Sequence, residues 1–280
     1  MPSLKPLDGF LLAAGLGTRM GPLSQVLPKP AWPLVGKPLL LWSGDQLKAA
    51  GFKTLGCNAH HLAEALREAA AGHLTVFDEP ELLGSAGGLR HARGRCADPL
   101  AVWNGDALAE VPWVAFLESH RRCGAQLSWL LVPHPGGPWN PVWTDDEGWI
   151  LPPGETGRGP YHFTGAAFWG AEALALLPDQ GPADTKRDVL PRLRRHLGVV
   201  VEPFPWLEVG TPDQLISAAA RLGPQAEGRV PGCYVHPSAH PSGTFQRCIL
   251  GPGAAPPPGM PDQNALWFAE HGRQVRLALP

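Results

Sequence analysis

The sequence predicts an α/β fold in which a mixed, mainly parallel sheet is covered by helices on both faces. Short apolar runs alternate with segments of helical spacing over the first part of the chain, and such alternation is typical of βαβ units. The first apolar run leads directly into a glycine-rich loop. The 280 residues have 44% hydrophobic content, enough for one large core or for one core with a small appendage.

Apolar patterning and glycine stops define the elements of the first half. Four short segments predict strands, and the first is an apolar run that ends in glycines, which is typical of a buried strand leading into a loop. They are residues 9–14, 53–57, 74–77 and 100–103. Three segments predict helices, and the apolar spacing of the first two stops at Gly51 and Gly72. They are residues 38–50, 60–71 and 84–92.

The second half is less regular. Strands are predicted at residues 126–132, 161–169, 199–201 and 206–209, and a hairpin at 142–151 with its tip at 145–148. Helices are predicted at residues 172–177, 186–196 and 212–222. The basic run 192–196 is interpreted as a solvated helix face rather than an anion site.

The composition changes near Gly223, so we predict a catalytic domain at residues 1–224 and a C-terminal extension at 225–280. Two segments of the extension, 231–237 and 248–254, are rich in glycine and proline and carry few charges. Each is compatible with one rung of a rudimentary left-handed β-helix. An irregular wrap is the alternative.

Charge and cysteine content exclude several classes of protein. The formal net charge is −2, without the basic excess of a nucleic-acid-binding surface. The N-terminus lacks the pattern of a signal peptide and no apolar run is long enough to span a bilayer, so we expect a cytoplasmic protein. Five cysteines without C-x-x-C spacing predict reduced thiols rather than a disulfide framework or a zinc site.

The strongest chemical signal follows the first predicted strand. It is the run Leu12-Ala13-Ala14-Gly15-Leu16-Gly17-Thr18-Arg19-Met20, with Leu27-Pro28-Lys29-Pro30 after it. Glycines let backbone N–H groups approach phosphate oxygens closely, a threonine adds a donor, and arginine and lysine supply positive charge. The P-loop is excluded because Thr18-Arg19 follows Gly17, and Met20 occupies the place of the third glycine of a dinucleotide fingerprint.

These motifs and several later ones resemble the sugar-1-phosphate nucleotidyltransferase family. The later segments, in the family's order, are Asn58-Ala59-His60-His61-Leu62, Glu79 to Gly88, Asn104-Gly105-Asp106, Phe163-Thr164-Gly165 and Trp206 to Pro212. The resemblance covers about residues 8–222 and is strongest to bacterial members such as N-acetylmuramate-1-phosphate uridylyltransferases and mannose- or heptose-1-phosphate guanylyltransferases. It implies a Rossmann-like, glycosyltransferase-A-type fold.

The resemblance also implies substrates, a cofactor and site residues. The substrates are a nucleoside triphosphate and a sugar 1-phosphate, and the cofactor is Mg²⁺ held by Asp106 and Glu208. The catalytic residues are Arg19, Lys29 and Asp106. The nucleotide-binding residues are Ala13, Ala14, Gly15, Gly17, Thr18, Glu79, Gly84 and Ser85. The sugar-binding residues are Asn104 and Gly165.

Three departures from the family pattern leave alternatives open. Glu208 stands where the family usually has aspartate, and its extra methylene moves the carboxylate, whereas Mg²⁺ demands near-ideal geometry. A sugar-holding Glu-Lys-Pro is missing, with Glu155 as a stand-in, and Gly21 replaces a second arginine. A catalytically impaired regulatory protein of the same fold is therefore the alternative to an active enzyme.

Some residues have two interpretations. Glu79 is either a reader of guanine, whose adjacent N–H donors match a carboxylate, or a solvated loop residue. Of His60 and His61, one is expected to cap a helix and the other to be exposed. The oligomeric state is left open.

Overall fold

The computed structural model describes residues 6–137, 139–201, 206–222, 233–259 and 261–279. In chain order the strands are β1 (Leu7–Leu12), β2 (Pro33–Leu34), β3 (Lys37–Pro38), β4 (Leu55–Ala59), β5 (Thr75–Asp78), β6 (Cys96–Asn104), β7 (Ala107–Ala109), β8 (Leu127–Pro133), β9 (Val142–Thr144), β10 (Arg158–Trp169), β11 (His196–Val200), β12 (Trp206–Glu208), β13 (Tyr234–Val235), β14 (Phe245–Gln246), β15 (Ile249–Leu250), β16 (Asp262–Gln263), β17 (Ala265–Glu270) and β18 (Arg273–Ala278). The α-helices are α1 (Leu39–Ala49), α2 (Ala63–Ala70), α3 (Gly84–Gly87), α4 (Trp113–Cys123), α5 (Ala171–Ala175) and α6 (Pro212–Leu222).

The central sheet has the strand order β11-β8-β10-β6-β1-β4-β5, with β9 added beside β10. Strand β1 is parallel to β4 and β6, β4 is parallel to β5, and β11 is parallel to β8. Strand β10 is antiparallel to β6, β8 and β9. This confirms the predicted mixed, mainly parallel sheet.

Strand β1 is buried on both faces, as an apolar run in such a sheet requires. Successive side chains of a strand point to opposite faces, so Phe10 and Leu11 join different hydrophobic clusters. Leu11 packs with Leu47 of α1 and Phe116 of α4, and both Phe10 and Leu11 are fully buried. The sheet therefore has one hydrophobic cluster on each face, and the carboxyl end of β1 is held between them.

The predicted helix at 186–196 is wrong. Residues Thr185–Val189 form one wide π-helical turn, Leu190–Arg192 form a 3₁₀ turn, and β11 begins at His196. Pro191 has no N–H for a helical hydrogen bond, and pairing with β8 gives the following residues an extended conformation. The basic run is consequently not a helix face, because it crosses from a loop into a strand.

Two other predicted helices have different bounds. The segment 60–71 becomes helical only at Ala63, because Leu62 has a left-handed backbone with φ 50°. The segment 84–92 is one α-turn at Gly84–Gly87 followed by a 3₁₀ turn at Gly88–His91. The first helix therefore starts three residues later than predicted, and the second changes from α-helical to 3₁₀ geometry after one turn.

The C-terminal residues form short parallel strands stacked on one another. Tyr234 of β13 is opposite Ile249 of β15, which is opposite Leu266 of β17, and β14 lies parallel to β16. The Tyr234 hydroxyl donates to Pro33 O over 2.6 Å, and its ring contacts Trp32 edge to face at 5.6 Å. The extension thus packs on the segment that follows Lys29. The proposed boundary at 224/225 lies outside the described residues, and the handedness of the stack stays a prediction.

Within the part of the chain that the structure describes, no helix combines the length and the apolar character that a membrane crossing needs. All five cysteines lie in this part and have free thiols.

Candidate active site at the carboxyl ends of the parallel strands

A cleft of about 310 Å³ opens where β1, β4 and β6 end. This is where ligands bind in open α/β sheets. It is lined by Leu12, Ala13, Ala14, Gly15, Gly17, Lys29, Pro30, Asn58, Glu79, Leu82, Gly84, Ser85, Asn104 and Asp106. Ten of the predicted site residues therefore line one cleft, and Thr18, Arg19, Gly165 and Glu208 are the predicted residues outside this lining.

The glycine loop leaves β1 with its backbone open toward the cleft. A side chain at Gly15 would meet no atom within 4 Å, whereas Gly17 has φ 64° and faces Lys29 Cβ. The N–H of Met20 donates to Gly17 O over 2.8 Å and starts the 3₁₀ turn that carries Arg19. The loop thus exposes its backbone at Gly15 to the cleft and carries Arg19 on the 3₁₀ turn that follows.

A buried hydrogen-bonded chain lies beneath this loop. Asn58 Oδ1 accepts from Ala13 N at 2.7 Å, Asn58 Nδ2 donates to Glu79 Oε1 at 2.7 Å, and Leu83 N donates to Glu79 Oε2 at 3.1 Å. The side chains of Asn58 and Glu79 are each 3% exposed. We call this chain the Asn58–Glu79 bridge. It joins the start of the glycine loop to the segment before α3.

Gly88 is part of the reason that the bridge fits. A Cβ there would lie 2.6 Å from Glu79 Oε1 and would overlap Asn58 Nδ2. The interpretation of Glu79 as a solvated loop residue is wrong, because the side chain is buried with both oxygens bonded. Guanine recognition by Glu79 stays a prediction. Sequence reasoning overlooked Asn58 as a site residue, although a polar residue in an apolar strand is an informative signal.

Asp106 and Lys29 meet at the opposite edge of the cleft as an ion pair. Asp106 follows β6, and Gly105 N donates to Leu12 O at 2.9 Å, which ties this turn to the end of β1. The two side chains are 19% and 13% exposed, so the pair is accessible from the cleft without being fully solvated. A carboxylate and an ammonium group therefore face the space beside the glycine loop.

The backbone places Glu208 near this pair. Glu208 of β12 is opposite Ala107 of β7, the residue after Asp106, and Val209 N donates to Asp106 O at 3.4 Å. The side chain of Glu208 lies outside the described residues. Metal ligation by Glu208 stays a prediction that this register favours.

Asn104 and Gly165 adjoin each other on the side formed by β6 and β10. Gly165 has φ 86°, and a Cβ there would lie 2.6 Å from Asn104 Nδ2. The ladder between β10 and β8 is irregular between Phe163 and Ala167. Thr164 Oγ1 stabilises this irregularity, because it donates to Leu130 O at 3.0 Å and accepts from Ala166 N at 3.3 Å. The missing Cβ of Gly165 leaves room for the Asn104 side chain, which lines the cleft.

A second segment supports the loop around Gly84. Gly84 has φ 79°, and a Cβ there would lie 2.7 Å from Ala183 O. The Ser85 hydroxyl donates to Asp184 Oδ2 and accepts from Thr185 N, both at 2.9 Å. Nucleotide binding by Ser85 stays a prediction, and the residues 183–185 were not found by sequence reasoning because they lie about a hundred positions away.

Three histidines border this side of the cleft. His60 Nδ1 and His61 Nε2 donate to the carbonyls of Glu79 and Ser24, at 2.8 and 2.6 Å. Neither histidine caps α2 and neither is exposed, so that prediction is wrong. Burial lowers the pKa of His91, against a smaller opposing effect of the Glu79 carboxylate.

The MobA-like NTP transferase domain family matches this sequence over residues 9–153, about half of the chain. The chain belongs to this family. The matched NTP transferase domain includes Arg19, Lys29 and Asp106, whereas Gly165 and Glu208 lie beyond it.

Relatives of this NTP transferase are similar over most of its length. N-acetylmuramate alpha-1-phosphate uridylyltransferase from Neisseria meningitidis serogroup B is 28% identical over 78% of this chain and 99% of that protein. Mannose-1-phosphate guanylyltransferase from Mycobacterium tuberculosis is 26% identical over 77% of this chain and 64% of that protein. The crystal structure of HddC from Yersinia pseudotuberculosis complexed with GMP-PN has a TM-score of 0.65 at 21% identity, over 77% of this chain and 99% of that one. The last similarity shows a shared fold.

Proposed function

We propose that this protein transfers a nucleotidyl group from a nucleoside triphosphate to a sugar 1-phosphate, which yields a nucleotide sugar and pyrophosphate. The observation that carries the proposal is the convergence of the glycine loop, the Lys29–Asp106 pair and the Asn104–Gly165 contact on one cleft. The named relatives are enzymes of this class, and nothing favours the regulatory alternative over it.

The residues of the cleft suit phosphoryl chemistry. The open backbone at Gly15 and the charges of Arg19 and Lys29 would bind the triphosphate and neutralise the charge that develops on it. An oxygen of the sugar phosphate would attack the α-phosphorus in line. One P–O bond forms, the bond to the β-phosphate breaks, and pyrophosphate leaves with the electron pair. The nucleophile is already an anion, so no general base is required, and positioning dominates.

Enzymes of this family generally use a divalent metal, and we propose that it is Mg²⁺ here. Asp106 would hold it, with Glu208 on the neighbouring strand, and phosphate oxygens would complete the ligands. The donor set fits, because a carboxylate oxygen is a hard ligand of the kind that Mg²⁺ prefers. When bound, the cation supplies charge neutralisation at the reacting phosphates.

The residues that would contact the sugar and the nucleobase are proposed from their positions in the cleft. Asn104 beside Gly165 would contact the sugar, and the segment around Gly84 would lie against the base. The relatives comprise both uridylyl- and guanylyltransferases, so they leave the base open. We expect the segment around Gly84 to be held in place by two hydrogen bonds, from Leu83 N to Glu79 and from the Ser85 hydroxyl to Asp184.

The first experiment measures pyrophosphate release with Mg²⁺ over a matrix of four nucleoside triphosphates and a panel of sugar 1-phosphates. Release should require both substrates and should fall by about 10²-fold or more in Asp106→Asn. Asp146→Asn, a change at the exposed hairpin tip, is the matched control and should retain full activity.

Two outcomes contradict the proposal. Release by Asp106→Asn at the wild-type rate would remove Asp106 from the mechanism. Absence of release in every combination, with a nucleotide still bound in calorimetry, would favour the regulatory alternative. In that case Glu208→Asp tests whether the longer carboxylate is the cause, since activity should then appear.

A further inference from the structure

Trp139, in the loop between β8 and β9, contacts Arg19 at the end of the glycine loop. The guanidinium carbon of Arg19 lies 5.8 Å from the ring centroid of Trp139. Guanidinium groups within about 6 Å of an indole centroid are attracted by the ring quadrupole. The contact therefore joins a loop on the β10 side of the cleft to the arginine expected to bind the triphosphate.

The indole of Trp139 also packs against His162. Its ring lies 5.1 Å from the ring of His162, with an interplanar angle of 59°. His162 belongs to β10 and is 8% exposed, so it is a fixed surface for the indole. Trp139 consequently lies between a buried strand residue and an exposed arginine.

The main chain of the loop is also fixed. His134 Nε2 donates to Trp139 O at 3.1 Å, and Gly136 N donates to His134 Nδ1 at 3.0 Å. The carbonyl can only accept and the amide can only donate, so Nε2 is the donor and Nδ1 the acceptor in these two hydrogen bonds. The backbone of Trp139 is therefore restrained independently of its ring.

Arginine side chains lose rotamer entropy when they are immobilised. A contact that restricts the guanidinium before the ligand arrives reduces the cost of binding, which is the usual advantage of preorganisation. Trp139 offers such a contact to Arg19 from a supported position.

We propose that Trp139 is a positioning residue that holds the Arg19 guanidinium for the triphosphate. This inference rests on the proposed function, since it assigns to Trp139 an effect on the same substrate. It acts through Arg19, so its removal should weaken nucleotide binding only while Arg19 is present.

The test is a double-mutant cycle on the dissociation constant of the nucleotide, measured by calorimetry. The four nucleoside triphosphates are tried with the wild type, and the tightest is used for Trp139→Ala, Arg19→Ala and the double variant. Trp139→Ala should weaken binding about two- to fivefold, the range of an exposed cation–π contact. In the Arg19→Ala background it should have no further effect. Trp139→Phe should restore part of the loss.

Trp149 offers a matched control. It is also half-buried and lies 5.0 Å from the guanidinium carbon of an exposed arginine, Arg195, outside the cleft. Trp149→Ala should leave nucleotide binding unchanged. A general loss of packing would act on both variants and would persist without Arg19.

The results separate the inference from the proposed function. If no triphosphate binds to the wild type, the proposed function fails and the inference fails with it. If a triphosphate binds but Trp139→Ala leaves binding unchanged, strengthens it, or weakens it equally without Arg19, only the inference is overturned.

Discussion

The two sides of the cleft are built differently. On the side that would bind the triphosphate, which we call the donor side, the Asn58–Glu79 bridge is a buried chain of hydrogen bonds between secondary-structure elements. On the side that would bind the sugar 1-phosphate, which we call the acceptor side, Asn104 lines the cleft beside Gly165, which has no Cβ to crowd it. Buried polar networks rigidify their surroundings when all members are satisfied. We infer that the bridge keeps the donor side preformed, whereas on the acceptor side a single missing Cβ provides the room for Asn104.

The largest effect is expected from breaking the donor side. Asn58→Ala leaves the N–H of Ala13 and one oxygen of Glu79 without their partners in a buried environment. Each unsatisfied group costs about 1–3 kcal/mol, so we expect a loss of about 3 kcal/mol in the free energy of unfolding, measured in urea. The KM for the triphosphate should rise more than the KM for the sugar phosphate.

Thr164→Val is the matched change on the acceptor side. Like Asn58→Ala, it removes a buried polar group with two hydrogen bonds. Here the group is a hydroxyl that donates to Leu130 O and accepts from Ala166 N. It should destabilise the protein and leave the KM for the triphosphate near the wild-type value. Equal effects of both variants on that KM would contradict the distinction between the two sides.

Acid pH is expected to lower the stability of the protein through His120, a buried histidine that packs against β8 and β10. His120 of α4 bonds Ser128 of β8 at 2.7 Å, contacts Phe168 of β10, and is 4% exposed. Burial lowers its pKa to about 4, against a smaller opposing effect of Asp98. The unfolded state therefore binds more protons. The contribution to stability is present above pH ~6.5 and is lost as the pH falls toward ~4, with a loss of about 2 kcal/mol at pH 5.

Urea unfolding at pH 7 and pH 5 checks this expectation. His120→Asn keeps a partner for Ser128 but does not titrate, so it should lose about 2 kcal/mol less than the wild type between the two values. His196, whose pKa burial lowers to about 3, remains in both proteins. Identical losses would show that His120 is not the group responsible.

The most local effect on the cleft is expected from Gly165→Ala. A left-handed backbone costs an alanine roughly 1 kcal/mol, and the new Cβ, 2.6 Å from Asn104 Nδ2, would in addition displace the Asn104 side chain. The KM for the sugar 1-phosphate should therefore increase severalfold, with little change for the triphosphate. Gly154→Ala has the same kind of backbone, at φ 94°, with no atom within 4 Å, and should show the strain alone. A similar KM in the two variants would argue against a sugar contact through Asn104.

Prediction from the sequence succeeded where a pattern is local. The apolar run of β1 indicated a buried strand that ends in a glycine loop, and the run before Asp106 indicated a second strand end. It was wrong at 186–196, where Pro191 and pairing with β8 prevent the predicted helix. It also left Glu79 undecided, because the burial of a carboxylate depends on partners that lie elsewhere in the chain.

The sequence by itself determined the alternation of strands and helices over the first hundred residues and placed the glycine loop and Asp106 at strand ends. These follow from periodicity and turn residues within short windows. Only the tertiary structure decided that Asn58 and Glu79 form a buried bridge, that Asp184 supports Ser85, and that Trp139 lies on Arg19. Such contacts join residues about 20 to 120 positions apart, and their free energy depends on desolvation and distance, which no local pattern of residues encodes.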